Sequence, residues 1–206
     1  MNRQQHWENV YQSKLATEVS WYRDHLENSL QTIVNTQVDK TASIIDVGGG
    51  TSTLVDDLLA EGFENISVLD ISSKAMEESQ KRLGDGAKQI DWIISDITTA
   101  GLPEIYYDVW HDRAVFHFFT DAQDRLKYVE MVKRSLKIGG HLIVATFGEN
   151  GPQKCSGLDV LRYSPVSMQK EFGDAFQLIY SINETHQTPF GTTQEFIYCY
   201  FRKVKN

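Results

Sequence analysis

The segment Ser43-Ile-Ile-Asp46-Val-Gly48-Gly-Gly50-Thr-Ser52 constrains the fold of this chain more than any other. A short apolar run ends on a carboxylate and breaks at once into three consecutive glycines before a helical pattern begins. A strand that stops on glycines leaves bare backbone where a ligand can approach, and the helix that follows aims unpaired N–H groups and its positive dipole end at the same point. Such turns also join strands to helices without a ligand, so the next segment decides the matter. Asn65-Ile-Ser-Val-Leu-Asp70 reads as a second buried strand closing on a carboxylate about 20 residues beyond the loop. An acid there can accept both hydroxyls of a ribose. The order strand, glycine turn, helix, strand, acid therefore predicts an α/β chain with a nucleoside held outside the strand ends.

The glycine spacing argues against a diphosphate. Counted from Gly48, a G-x-G-x-x-G fingerprint needs glycine where Thr53 stands; counted from Gly49 it fails at Thr51, and no lysine follows to make a phosphate loop. A nucleoside without a pyrophosphate, such as S-adenosylmethionine, fits better.

Asp46-Val-Gly48-Gly-Gly50-Thr-Ser52, then Asp70, then Asp96-Ile97 after a third apolar run, resemble the ordered motifs of the class I S-adenosylmethionine-dependent methyltransferases, and the resemblance spans nearly the whole chain. The family's loop reads acid-x-Gly-x-Gly-x-Gly. Ser52 stands at the third glycine here, where a serine can cap the following helix. The resemblance implies S-adenosylmethionine as cofactor and S-adenosylhomocysteine as product. It assigns Asp46 to the loop and the methionine amino group, Gly48 and Gly50 to the backbone passing under the ligand, and Asp70 to the ribose. Asp96 takes the adenine amino group, with Ile71 and Ile97 on the two faces of the base. The implied fold is a three-layer Rossmann-like α/β sandwich around a seven-stranded, mostly parallel sheet with an antiparallel last strand.

A fourth strand, Tyr107 to Asp112, opens onto Arg113-Ala-Val-Phe-His117. The family places the cofactor's carboxylate end and the departing methyl here, so Asp112 and Arg113 are expected as cofactor contacts. His117 is the expected catalytic base, because an unperturbed imidazole titrates near neutral pH; the competing reading is a half-buried histidine in a polar corner. His111, inside the strand, is expected in the scaffold. The implied reaction is direct in-line displacement at the methyl carbon by an acceptor lone pair.

Trp7 and Tyr11 lie four apart on a helical pattern, and Trp21-Tyr22 follow. Residues 1–36 are expected to form a helical lid, with Tyr11 and Trp21 against the cofactor and Trp7 and Tyr22 against the acceptor. Periodicity alone would make these rings core. Arg162 and Tyr163 are expected on the acceptor side of the strand ends.

The 206 residues, 41% hydrophobic with 4 prolines, fit a single domain over 1–206. A formal charge of −8 argues against a nucleic-acid partner. No run is apolar enough for a signal peptide or a bilayer span, so no membrane partner and a cytoplasmic location are expected. Cys155 and Cys199 lack the spacing of a disulfide framework or a zinc site, and no metal is expected. Cys199 reads as packed, Cys155 as a loop cysteine or a pocket thiol.

The remaining pattern predicts a helix over 122–136, a turn at 137–140 and a strand over 141–147. A helix over 164–172 and an antiparallel pair over 176–183 and 194–202 then close the chain. His186, in the connecting turn, is expected to face solvent or be structural. The leading functional expectation is a methyltransferase acting on a small-molecule acceptor, as a monomer or homodimer. A protein lysine methyltransferase and a non-catalytic S-adenosylmethionine-binding domain are the alternatives.

Overall fold

Five apolar segments lie side by side as parallel strands; the central ones are buried on both faces, which leaves no polar side for alternation to mark, while β3 at the edge is only partly covered. They are β1 (Ser43–Val47), β2 (Asn65–Asp70), β3 (Ile90–Ile94), β4 (Tyr107–Arg113) and β5 (Leu136–Phe147). The computed structural model describes residues 2–206. After β5 come a small two-stranded hairpin, β6 (Lys154–Cys155) with β7 (Leu158–Asp159), and the long pair β8 (Phe176–Gln187) and β9 (Thr193–Lys203). The main sheet has seven strands in the order β3-β2-β1-β4-β5-β9-β8, and β9 runs antiparallel to both neighbours. That insertion is the one expected for the last strand.

Helices cover both faces of the sheet. On one side α2 (Glu27–Asn35), α3 (Leu54–Ala60) and α4 (Ser73–Leu83) bury Ile33, Leu54, Val55, Leu58 and Met76 against Ile44, Val68 and Val109. On the other, α5 (Ala122–Ser135) and α6 (Pro165–Phe172) bury Tyr128, Val132, Met168 and Phe172 against Ile45, Trp110, Leu142 and Phe201. The helix α1 (Arg3–Ser13) belongs to neither layer; its Glu8 joins it to the start of α4, at the carboxyl ends of the strands.

Two expectations change. The predicted turn at 137–140 is the beginning of β5, which starts at Leu136 and carries a register irregularity opposite Tyr107 and Val109. Lys137 Nζ holds both carboxylate oxygens of Asp108 at 2.9 Å, and a side chain on Gly140 would meet the Lys137 carbonyl at 2.8 Å, so the glycine lets the strand bend rather than end. The final pair is longer than predicted: after a register shift between Leu178 and Tyr180 it stays paired out to Gln187 and Thr193. His186 is fully buried there and donates from Nε2 to the Ser20 carbonyl at 2.7 Å, which makes it structural.

One lysine is also interior. Lys203, on β9, is fully buried and donates from Nζ to the carbonyls of Lys133 and Leu136, the orphaned acceptors at the end of α5. Replacing it in Lys203→Met keeps the stem and removes the donor, so denaturant unfolding should show a loss of about 1–3 kcal/mol. A variant as stable as the parent would mean that these carbonyls find other donors.

Candidate active site

The glycine loop leaves β1 and is held by the neighbouring strand. Gly48 has φ of +73°, and a Cβ on it would lie 2.0 Å from Val115 Cγ2. Its N–H donates to the Leu69 carbonyl at 2.6 Å. The N–H of Gly50 donates to Asp70 Oδ2 at 3.0 Å, and Asp70 Oδ1 accepts from Ser72 N at 2.8 Å. A Cβ on Gly50 would stand 2.5 Å from the same Oδ2, so only a glycine lets the loop close on this carboxylate. Burial pushes the Asp70 carboxyl up to about 6 despite these donors. Ser52 Oγ accepts from Leu54 N at 3.2 Å, the capping role expected of it.

Asp46 sits one strand over, buried, and strand register pairs it with His111 on β4. His111 Nδ1 contacts Asp46 Oδ1 at 2.7 Å, while Nε2 meets Ser29 Oγ of α2 at 2.8 Å. Asp46 Oδ2 has no partner, a costly state for a buried carboxylate oxygen unless something is meant to occupy it. Asp46 lines a recess together with Gly48, Tyr22, Arg23 and Ser52.

This recess shares Tyr11, Trp21, Gly48 and Arg113 with a longer cleft along the strand ends. The cleft holds about 760 Å³ of empty space, its open mouth included, and continues past Asp70 and Ile71 to Asp96 and Ile97. At the far end Asp96 Oδ1 accepts from Thr98 N at 2.9 Å and Thr98 Oγ1 at 2.7 Å, and Oδ2 accepts from Arg3 Nη1 at 3.3 Å.

Helix α1 roofs the cleft. Arg3 is bonded to Asp96 and Asp124, and its guanidinium lies 5.0 Å from the centre of the Phe119 ring. Glu8 accepts from Ser73 N at 2.7 Å, Lys74 N at 3.2 Å and the hydroxyls of Ser72 and Ser73, so a side chain of α1 satisfies the N-terminus of α4. From the helix so anchored Trp7 and Tyr11 turn inward, and Trp7 packs edge-on against Trp21 at 5.8 Å and Phe118 at 5.0 Å. Arg3, Glu8, Phe118 and Phe119 were not legible as site residues, because their partners lie tens of residues away.

The cleft gathers Tyr11, Trp21, Gly48, Asp70, Ile71, Asp96, Ile97 and Trp7 from the sequence-predicted set, and Cys155 joins them. Arg113 reaches it too, but its donors are engaged: Nε to Tyr198 Oη at 3.0 Å, Nη1 to the Trp21 carbonyl at 3.1 Å and Nη2 to Glu184 at 3.4 Å. It holds the cleft wall.

Several expectations are corrected by burial. Asp112 is fully buried and spends both oxygens on Tyr128 Oη and on the N–H groups of Val115 and Phe116, so it shapes the turn after β4 and does not line the cleft. His117 is fully buried between Phe118 and Phe147, and burial pushes its imidazole down to about 3. Its Nδ1 accepts from Phe147 N at 3.3 Å, it does not line the cleft, and it is not placed to act as a base. Tyr163 is buried against Phe116, and Arg162 donates outside the cleft to the Glu149 carbonyl. Tyr22 lines the recess instead, with its hydroxyl on Asp24 at 2.8 Å. Gly50 is buried beneath the loop, its carbonyl accepting from Ser79 Oγ.

The acceptor set suits an adenosine carrying a cationic amino acid tail: an unpartnered anionic oxygen at one end, a strand-end carboxylate in the middle, and Asp96 with Ile71 and Ile97 lining the rest of the cleft. Among the described residues no helix is long and apolar enough to cross a membrane.

Residues 45–144 match the family model of a methyltransferase domain. The chain is 20% identical over 193 residues to the human EEF1A lysine methyltransferase 2, covering 87% of this chain and 76% of that protein. It is 23% identical over 150 residues to the mouse eEF1A lysine and N-terminal methyltransferase, covering 70% of this chain. The chain spans only 21% of that mouse protein's length. Among solved structures, the Burkholderia thailandensis 1,6-didemethyltoxoflavin-N1-methyltransferase, with 1,6-didemethyltoxoflavin and S-adenosylhomocysteine bound, superposes with a TM-score of 0.71. The identity is 12%, and the match covers 100% of this chain and 92% of that one.

The raised Asp70 carboxyl gives the site a pH signature. A carboxylate accepts two hydroxyls and its protonated form accepts them less well, so S-adenosylhomocysteine affinity should hold above pH 7 and fall as pH drops through about 6. The fall is at most roughly tenfold per pH unit. Titration calorimetry across this range should lose that limb in Asp70→Asn; an unchanged profile in the variant would remove Asp70 from the binding site.

Proposed function

We propose, for a chain that belongs to the class I S-adenosylmethionine-dependent methyltransferases, that the methyl group passes to a small-molecule acceptor inside a chamber closed by its own N-terminal segment. The observation carrying this reading is the roof. Helix α1 is pinned at Arg3 and at Glu8, and its rings Trp7 and Tyr11 close over the cleft. Such a chamber suits a compact acceptor; α1 and the segment through Tyr22 act as its lid, whereas α2, expected within the same lid, belongs to the helical layer on the sheet.

The cofactor, when bound, supplies a methyl group on a sulfonium that an acceptor lone pair can displace in line. Asp46 Oδ2 would accept from its ammonium, Asp70 would accept from the ribose hydroxyls, and Asp96, with Ile71 and Ile97, would hold the adenine. Gly48 and Gly50 keep the loop low enough for this approach. Trp7, Tyr11, Trp21 and Phe118 exclude water and present ring faces that favour a cation. Burial holds the Cys155 thiol up at about 11, so it stays protonated and does not compete as a nucleophile. With His117 sealed away, the acceptor brings a free lone pair or releases its proton to solvent.

A second reading, methylation of a protein lysine, is favoured by the human relative that covers 87% of this chain. The two separate in one experiment. Purified enzyme and radiolabelled S-adenosylmethionine are added to an extract of cells that express it, and the counts are fractionated by size. Label in the small-molecule fraction is the expected result; label confined to protein bands would overturn the first reading in favour of the second, and no transfer to either would count against both.

A further inference from the structure

Resting on the cofactor reading above, we propose that His111 is a positioning residue: it fixes Asp46 so that one carboxylate oxygen is reserved for the ammonium of the cofactor's amino acid tail. Parallel register sets Asp46 and His111 opposite each other on neighbouring strands, both facing the α2 and α3 side of the sheet. Each is almost completely buried. The imidazole is held at both nitrogens, 2.7 Å from Asp46 Oδ1 and 2.8 Å from Ser29 Oγ, so it can neither rotate nor withdraw. A single tautomer serves the whole chain of contacts, with Nδ1–H donating to the carboxylate and Nε2 accepting from the serine hydroxyl.

The consequence lies on the other oxygen. Asp46 Oδ2 is buried without a partner, and the carboxylate belongs to the recess lined by Gly48, Arg23 and Ser52. A side chain on Gly49 would stand 2.5 Å from this oxygen, so the loop is glycine where it passes over the carboxylate. His111 is the only donor to Asp46 among the described residues. Without it the carboxylate has no donor on either oxygen and is free to swing to another group, losing the fixed acceptor. His111 therefore acts through Asp46 on the amino acid end of the ligand and leaves the adenosine end alone.

The test compares two ligands by calorimetry. S-adenosylhomocysteine carries the amino acid tail, whereas 5′-methylthioadenosine keeps the adenosine and the sulfur without it. His111→Phe should weaken S-adenosylhomocysteine by roughly tenfold or more, the loss of one charge-assisted contact, while 5′-methylthioadenosine binds within about twofold of the parent. His111→Gln, which can still donate to Asp46, should recover part of the loss. Equal weakening of both ligands would mean that His111 merely supports the fold, and no weakening of either would deny it any role; both results overturn the inference. If His111→Phe fails to fold, Ser29→Ala frees the outer nitrogen and should give a smaller loss confined to S-adenosylhomocysteine, with equal losses again contradicting it. Failure of the parent protein to bind either ligand would instead sink the cofactor reading, and the inference with it.

Discussion

The structure depends on two carboxylates kept in a place where water cannot solvate them. Asp46 and Asp70 end neighbouring parallel strands, both almost fully buried, with the glycine loop threaded between them. Each is held by donors specific to it: an imidazole for Asp46, and the N–H groups of Gly50 and Ser72 for Asp70. An isolated buried carboxylate would be costly, so such a pair persists only where fixed donors and a cationic ligand offset the lost hydration. The raised Asp70 carboxyl records that cost. Functional sites concentrate strain of this kind, and the scaffold supplies the compensation.

The N-terminal segment is the second half of the same arrangement. Its carbonyls are gripped by side chains from three elements: Ser20 by His186 on β8, Trp21 by Arg113 on β4, and Arg23 by Thr53 before α3. Glu184 on β8 closes the network, meeting Arg23, Arg113 and Asn28. The antiparallel pair that ends the chain thus secures the segment that begins it, and Trp21 stands in the cleft wall because the backbone on both sides of it is fixed. The roof over the ligand cleft and the last two strands form one construction.

What the sequence made legible was whatever is local. The apolar runs, the glycines and the acids at the strand ends are read from spacing along the chain, and the family resemblance they carry implied the layered fold, the inserted last strand and the set Asp46, Asp70 and Asp96. What stayed hidden depends on partners distant in sequence. His117 has the composition of a base, yet it lies between Phe118 and Phe147, and one of those rings arrives from β5. Asp112 has the position of a ligand contact, yet Tyr128 on α5 and the turn's own N–H groups occupy it. Glu8 carries no local signal at all, since the helix it caps begins 65 residues later. Burial decides these cases, and it is set only when the layers close.

The proposed site holds an adenosine sulfonium along the ends of β4, β1, β2 and β3 beneath α1. A crystal structure of the protein with S-adenosylhomocysteine tests it most directly. The amino group is expected on Asp46 Oδ2, the ribose on Asp70 and the base between Ile71 and Ile97. Density for the ligand anywhere else, or a cleft left empty at saturating concentration, would contradict it.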